Sequence, residues 1–558
     1  MSDQDHDVVI IGAGAGGGAA AWALASKGIR VLVLEAGPAF NPVTDYRLNE
    51  ATWELSRFPE EKVRHKAVYG FGEMQPLESR WDDLRSWNRV KGRLNASRTR
   101  QGWKYHHVRG VGGSTLHFTG EAHRLNPQAM KMHTRFGVAA DWPLDYAELE
   151  PYYEVAERIV GVAGSRANSL VSRRADFPLP AHPLSYASQV LASSGDKLGL
   201  HWEPNARAAL SRPYDGRPVC NYCANCNRGC PRTDKGSVDV TFMRKALQTG
   251  KCTVLTDAPV QRINAGSHGR IRSVEYTQGD VRHQINTRVL VMACGAVETP
   301  RLLLLSGNKH APEGLANENG LVGRHFMETL AWHSSGLHAG NLGSFRGLPA
   351  DVICWSHNAP DAIPGVIGGC RFASGVAEAD LVGPVNYARR VVPGWGRSHK
   401  QAMRQDFGRV LAVGAIGESL PNDRSYVDLD PALRDEFGNP AARIHSFLPD
   451  GELRRMAFMA AMCREILQAA GVKELVEEYG SYDFFSSTHV FGTCRMGHDA
   501  RNSVVDASGR AHGWKNLYVA DASVFPSSGG GESPSLTIEA LALRTADHVR
   551  AAFAQREL

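Results

Sequence analysis

"DVVIIGAGAGGGAAAWALASKGIRVLVLEAG", Asp7 to Gly37, decides the fold. It reads as strand, tight turn, helix and second strand. Val8 to Ile11 is a short β-branched run, and Gly12, Gly14 and Gly17 behind it satisfy G-x-G-x-x-G. The first glycine lets the chain turn sharply, the second lets backbone approach a pyrophosphate, and the third lets helix pack on strand. Val31 to Leu34 forms the next strand, and Glu35 ends it 18 residues after Gly17. A carboxylate there can accept both hydroxyls of an adenosine ribose. It argues against a 2′-phosphate and so against NADP, leaving FAD or NAD. A glycine motif alone is a weak signal. With its strand, helix, second strand and acid all in place, it predicts a dinucleotide site in a doubly wound α/β layer.

The rest of the chain sets limits. At 558 residues it can build two or three domains, each with a substantial core. Hydrophobic content of 43% and charged content of 22% are those of an ordinary globular protein. A net charge of +5, with basic groups scattered as in Lys91–Lys104, lacks the concentrated basic face that nucleic acid requires. The start is polar and acidic and the first apolar run is full of glycine, so neither a signal peptide nor a membrane span is expected. Six of the ten cysteines (Cys252, Cys294, Cys354, Cys370, Cys463 and Cys494) stand singly in apolar or mixed surroundings. They read as buried thiols of a chain that folds under reducing conditions. No internal repeat or low-complexity linker divides the sequence.

Further motifs follow in order: "GVGGSTLHFTG" (Gly110–Gly120), "ACGAVETPRLLLLSG" (Ala293–Gly307) and "THVFGTCRMG" (Thr488–Gly497). The first is a glycine turn that can bring amides and small hydroxyls against a flavin ring or phosphate. The second is a buried strand, a glycine turn and a helix. With the N-terminal fingerprint, and with "WPLDYAELEPYYEVAE", "GLVGRHFM" and "NLYVADASVFPSS" between and after them, they resemble the glucose–methanol–choline (GMC) family of FAD-dependent alcohol oxidoreductases. "NARAALSRPYDGRPVC" (Asn205–Cys220) is in turn similar to the large subunits of bacterial fructose, glucose and gluconate dehydrogenases.

The resemblance implies an α/β FAD domain assembled from 1–120, 205–330 and 488–558, and a substrate domain on an antiparallel sheet from 121–204 and 331–487. It places cofactor contacts at Gly110, Gly112, Gly113, Ser114, His117, Val260, Gly295, Asp521 and Ala522, with covalent flavin attachment at His117 as a minor option. It puts the general base at His489, where imidazole has a suitable pKa. The partner position, usually histidine or asparagine, carries Ser533. That is a departure, because serine can hydrogen-bond a substrate oxygen but cannot be a second base; Glu532 beside it is an alternative. The implied substrate is a sugar, polyol or similar alcohol. Implied partners are a small subunit and a cytochrome c electron acceptor, with a periplasmic or membrane-associated location through that subunit, or a cytoplasmic one without it.

"CNYCANCNRGCP" (Cys220–Pro231) holds four cysteines as C-x2-C-x2-C-x3-C-P. Disulfides between neighbours would close strained loops. Zinc usually takes two C-x2-C arms separated by a longer loop, whereas this run is ferredoxin-like. The expectation is an iron–sulfur cluster, [3Fe-4S] or [4Fe-4S], on Cys220, Cys223, Cys226 and Cys230, relaying electrons to a carrier. Disulfides, free thiols and zinc stay open, and with them an oxidase that returns electrons to oxygen. A flavin-binding assembly subunit without chemistry of its own is a third class, which the complete His489 motif disfavours.

Overall fold

The computed structural model describes residues 6–557 apart from 56–57, 64–65, 86, 89–92, 95–96 and 166–169. Part of the basic group Lys91–Lys104 therefore lies outside the described residues. The elements that position the site are, in chain order, β1 (Val8–Ile11), α1 (Ala15–Ala25), β2 (Val31–Leu34), β3 (Cys252–Leu255), β4 (Val289–Met292), α2 (Gly295–Leu305), β5 (Leu330–His338), β6 (Cys370–Ser374), β7 (Val410–Gly417), α3 (Asp450–Ala469), β8 (Val472–Gly480), β9 (Leu517–Val519) and α4 (Ser535–Ala554).

The first layer is a parallel sheet in the order β3-β2-β1-β4-β9. Val8 sits opposite Val31 on one side and Val289 on the other. Every residue of β1, β2 and β4 is buried, in a core that also holds α1, α4 and the antiparallel strands of 260–286. That is why these strands are unbroken apolar runs rather than alternating ones. α1 is built of alanine and glycine and packs against α4, from the far end of the chain. This is the Rossmann-like layer the opening stretch predicts.

The second layer is an eight-stranded sheet: Arg93–Leu94, Trp87–Asn88, β8, β5, β7, β6, Val352–Cys354 and Trp202–Pro204. All its pairings are antiparallel. α3 lies on it, burying Met456, Met459 and Cys463 against Trp332, Phe372 and Val413. Each such side chain contributes about 1.5–3 kcal/mol on leaving water. The expected combination of a doubly wound layer with a separate sheet-rich unit is what the chain forms. Among the described residues no helix is long and apolar enough to cross a membrane.

Candidate active site

The dinucleotide cradle forms where β1 turns into α1. Gly12 has φ +98°, and a side chain there would collide with Ala293 O at 2.5 Å. At Gly17 an added Cβ would fall 1.9 Å from Gly12 O, so helix and strand meet only because neither residue has one. Gly14 differs. A Cβ there would find only Gly113 Cα, at 3.8 Å. The space beside Gly14 belongs to no part of the protein, as a cofactor groove requires. Gly295, at the start of α2 with φ +85°, likewise faces open space.

Glu35 is buried, and its carboxylate accepts the amides of Ala13 (2.8 Å), Gly37 (2.9 Å) and Gly110 (2.9 Å). Burial pushes its pKa up while the three amides hold it down. The acid expected to read a ribose thus also staples the first glycine turn to the second, Gly110–Gly113. In that turn Gly112 has φ +110°, and Ser114 Oγ accepts the Val108 amide at 3.4 Å. Asp521 accepts Gly295 N (3.0 Å), Thr299 Oγ1 (2.6 Å) and Ser523 N (2.9 Å), fixing the start of α2 beside buried Ala522. Val260 opens a strand, Val260–Gly266, at the edge of the same unit. His117 lies 6.4 Å from both Phe58 and His106, ring to ring. The cradle at Gly14 and Gly295 and the acid at Glu35 fit FAD.

Ser533 follows the loop before α4. Its hydroxyl donates to Glu121 Oε2 at 2.7 Å, and its amide donates to His123 Nδ1 at 3.0 Å. Glu121 also accepts Arg371 Nη2 (2.6 Å) and Asn205 Nδ2 (3.0 Å), with Arg207 3.8 Å away. His123 closes the network through Asn205 Oδ1 at 2.8 Å. Burial opposes ionisation of Glu121. Arg371, with His123, Arg207 and Ser533 behind it, nevertheless keeps its carboxyl well below the usual range. The charges facing His489 are those of Glu121 and Arg371. Ser533 thus contacts this ion pair directly, while His489 feels the charges of both its members.

The backbone of His489 is pinned: its carbonyl accepts Thr329 N at 3.0 Å and its amide donates to Ser487 Oγ at 3.2 Å. Its ring is half-buried. Desolvation lowers its pKa to about 4 against the opposing Glu121 charge, with Arg371 adding to the fall, so the imidazole is neutral near pH 7. Glu532 turns elsewhere, its Oε1 accepting Asn126 N (3.1 Å) and Asn358 Nδ2 (2.9 Å). Sequence reading missed Glu121, His123, Asn205, Arg207 and Arg371. Glu121 and His123 directly follow the second glycine motif and were visible there. Arg371 comes from β6 and reaches the site only through the fold.

The four-cysteine segment departs from expectation. Among the described residues no three His, Cys, Asp or Glu side chains converge as a metal site, and all ten cysteines are free. Tyr222 and Ala224 take left-handed backbone, φ +57° and +58°. Cys220 packs on Ala209 and Leu348, and Cys223 is exposed. Cys226 is buried, and Cys230 donates to Asp234 Oδ1 at 3.3 Å. Burial raises all four thiol pKa values, that of Cys226 to about 12. The arrangement fits neither an iron–sulfur cluster, nor zinc, nor a disulfide. Instead Lys235 anchors the segment. Its buried ammonium donates to Cys226 O (2.7 Å), Leu116 O (2.9 Å) and Phe118 O (3.1 Å), tying it to the second glycine turn.

A parallel nucleotide layer, a glycine cradle, a neutral histidine and a buried ion pair that holds Ser533 are the features of a dinucleotide-dependent oxidoreductase. The NAD(P)-binding Rossmann-like pattern matches residues 10–45, and that of GMC oxidoreductase matches 109–330 and 421–542. The chain belongs to the GMC oxidoreductase family, whose members depend on FAD. It is 30% identical to a 2-methyl-1,2-propanediol dehydrogenase of Mycolicibacterium austroafricanum, over 98% of this chain and 95% of that one. A 6'''-hydroxyparomomycin C oxidase of Streptomyces lividus is 30% identical over 98% and 91%. The fructose dehydrogenase large subunit of Gluconobacter japonicus is 30% identical over 97% of each.

Proposed function

We propose that this protein is an FAD-dependent dehydrogenase that oxidises a hydroxyl of a sugar, polyol or similar small molecule. Electrons then leave for an external carrier. The observation that carries the reading is the buried Glu121–Arg371 pair that holds Ser533, with burial keeping the His489 imidazole neutral. A neutral imidazole can take the hydroxyl proton as the C–H bond breaks. Bound FAD supplies the acceptor for the hydride leaving the same carbon. Glu121, held ionised, stabilises the imidazolium that forms. Because Ser533 already donates to Glu121, its oxygen is left with lone pairs for a substrate donor.

In this reading Gly12, Gly14, Gly17, Glu35, Gly110–Ser114, His117, Val260, Gly295, Asp521 and Ala522 serve the cofactor. Residues 1–120, 205–330 and 488–558 form its domain. The likeness to a dehydrogenase large subunit supports a partner subunit and a cytochrome acceptor. The free cysteines favour a second reading, an oxidase reoxidised by O2. Reoxidation of the reduced flavin by O2 and by a one-electron acceptor, compared at equal concentration, separates the two. His489→Ala tests the base: anaerobic flavin reduction by substrate should slow by about two to four decades with FAD retained. Reduction at the wild-type rate would place the base elsewhere.

A further inference from the structure

Ser533 is held at two points, and the hydrogen bonds that hold it close into a ring. Glu121 and His123 stand two residues apart in a stretch that pairs with 206–208. Ala122 N donates to Ala206 O (3.1 Å) there, and Ala208 N to Gly120 O (2.6 Å). Glu121 Oε2 accepts the Ser533 hydroxyl at 2.7 Å, and His123 Nδ1 accepts the Ser533 amide at 3.0 Å. Asn205 joins the two acceptors. Its Oδ1 meets His123 Nε2 at 2.8 Å, and its Nδ2 donates to Glu121 Oε1 (3.0 Å) and Ala350 O (2.8 Å). All four side chains of the ring are buried, where such bonds are stronger than in water.

Donors and acceptors give the ring one direction. A backbone N–H can only donate, so the His123 Nδ1 that faces the Ser533 amide carries a lone pair. The imidazole proton is then on Nε2 and goes to Asn205 Oδ1. Ala350 O can only accept, which turns the Asn205 amide the same way. Glu121, ionised against Arg371 at 2.6 Å, accepts from both Asn205 and Ser533. The hydroxyl proton of Ser533 thus has a fixed destination, and its lone pairs stay outside the ring. Burial lowers the His123 pKa to about 4 against the opposing Glu121 charge, with Arg371 and Arg207 adding to the fall. The imidazole is therefore neutral, and Trp355 packs edge to face against it at 4.9 Å.

We infer that His123 is a positioning residue whose Nε2–H tautomer sets Ser533 as a hydrogen-bond acceptor for the substrate. That role rests on the proposed alcohol oxidation, in which Ser533 meets the substrate. A proton on Nδ1 would put two donors face to face. An apolar side chain at 123 would leave the buried Ser533 amide without its acceptor. Either change lets Ser533 shift and its hydroxyl turn from Glu121.

The test uses FAD-loaded protein, with nitrogen NMR of labelled histidines and anaerobic flavin reduction. The alcohol is whichever of 2-methyl-1,2-propanediol, glycerol and fructose reduces wild type fastest. In the NMR spectrum near pH 7, the histidine signal that His123→Phe removes should be that of a neutral Nε2–H imidazole. His123→Phe keeps an aromatic ring against Trp355 but loses the acceptor. It should lower the second-order rate constant of flavin reduction about tenfold, the worth of one buried hydrogen bond. His123→Asn, whose Oδ1 takes the place of Nδ1, should restore most of the rate. Ser533→Ala should cost about as much as His123→Phe, and the double variant no more than either, because both remove the same interaction. Costs that multiply would mean that His123 serves only the fold, and would overturn the inference. A removed signal that is Nδ1–H or doubly protonated would overturn it too, as would a His123→Phe protein as fast as wild type. If none of the three alcohols reduces the flavin, the proposed oxidation fails by itself. The NMR signal then decides the inference, and any tautomer but Nε2–H refutes it.

Discussion

The nucleotide turn and the cysteine segment are both short, motif-rich stretches, and they behave differently. In the first, each residue's task is announced by neighbours within 30 positions and is met mostly by backbone geometry. Gly12 must turn, Gly17 must let a carbonyl pass, and Glu35 must sit at a strand end. In the second, the expected task needed four side chains to point at one place, and spacing does not fix direction. Tyr222 and Ala224 take left-handed backbone, Cys220 packs on Leu348 and Cys230 donates to Asp234, and no metal site forms among the described residues. Backbone motifs travel from sequence to structure more faithfully than ligand sets do.

The contrast can be broken from either side. The largest effect should come from Gly14→Val. Gly14 has φ −79° and open space beyond it, so valine fits the folded chain and fills only the cofactor's place. Folded, colourless protein is expected by circular dichroism and flavin absorbance, and a yellow, fully loaded variant would undo the assignment of the cradle. Next is the joint between the regions. Lys235→Met leaves three carbonyls without their donor, at about 1–3 kcal/mol for each buried group left unsatisfied. It should lower the melting temperature and loosen flavin retention together. A fall in stability without faster FAD loss would mean that the strut does not reach the flavin turn.

The smallest effect should come from the cysteines. Anaerobically prepared protein should contain neither iron nor acid-labile sulfide, and Cys226→Ser should leave electron delivery to a one-electron acceptor unchanged. One thiol, Cys223, should react quickly with an alkylating reagent while the buried ones lag. Stoichiometric iron and sulfide would mean that the segment rearranges around a cluster and that its spacing was the better guide. The pH profile sharpens the remaining site. With His489 neutral down to about 4, the acid limb of flavin reduction should lie below the 6.5 of a free imidazole. A limb at or above 6.5 would point to another base.

Much of this was legible in the sequence. The β1–α1–β2 unit, the family motifs, His489 and the substitution at Ser533 all come from local patterns. The partner of Ser533 did not. Glu121 stands in plain view after Gly120, but only the meeting of β6 with the loop before α4 makes it the acceptor for both Ser533 and Arg371. A contact between positions 121, 371 and 533 has no period or spacing to announce it.

The sheet that begins with Val8 is closed at its far edge by Leu517–Val519, and α1 rests on a helix that ends at Ala554. On the ribosome, the first strand must therefore wait for nearly the whole chain before its layer is complete. Domains usually fold as units while synthesis proceeds. Here the earliest-made segment belongs to the last-finished unit. Flavin loading thus waits until α4 has been made, and a nascent protein without α4 would expose the α1 surface to chaperones or to aggregation.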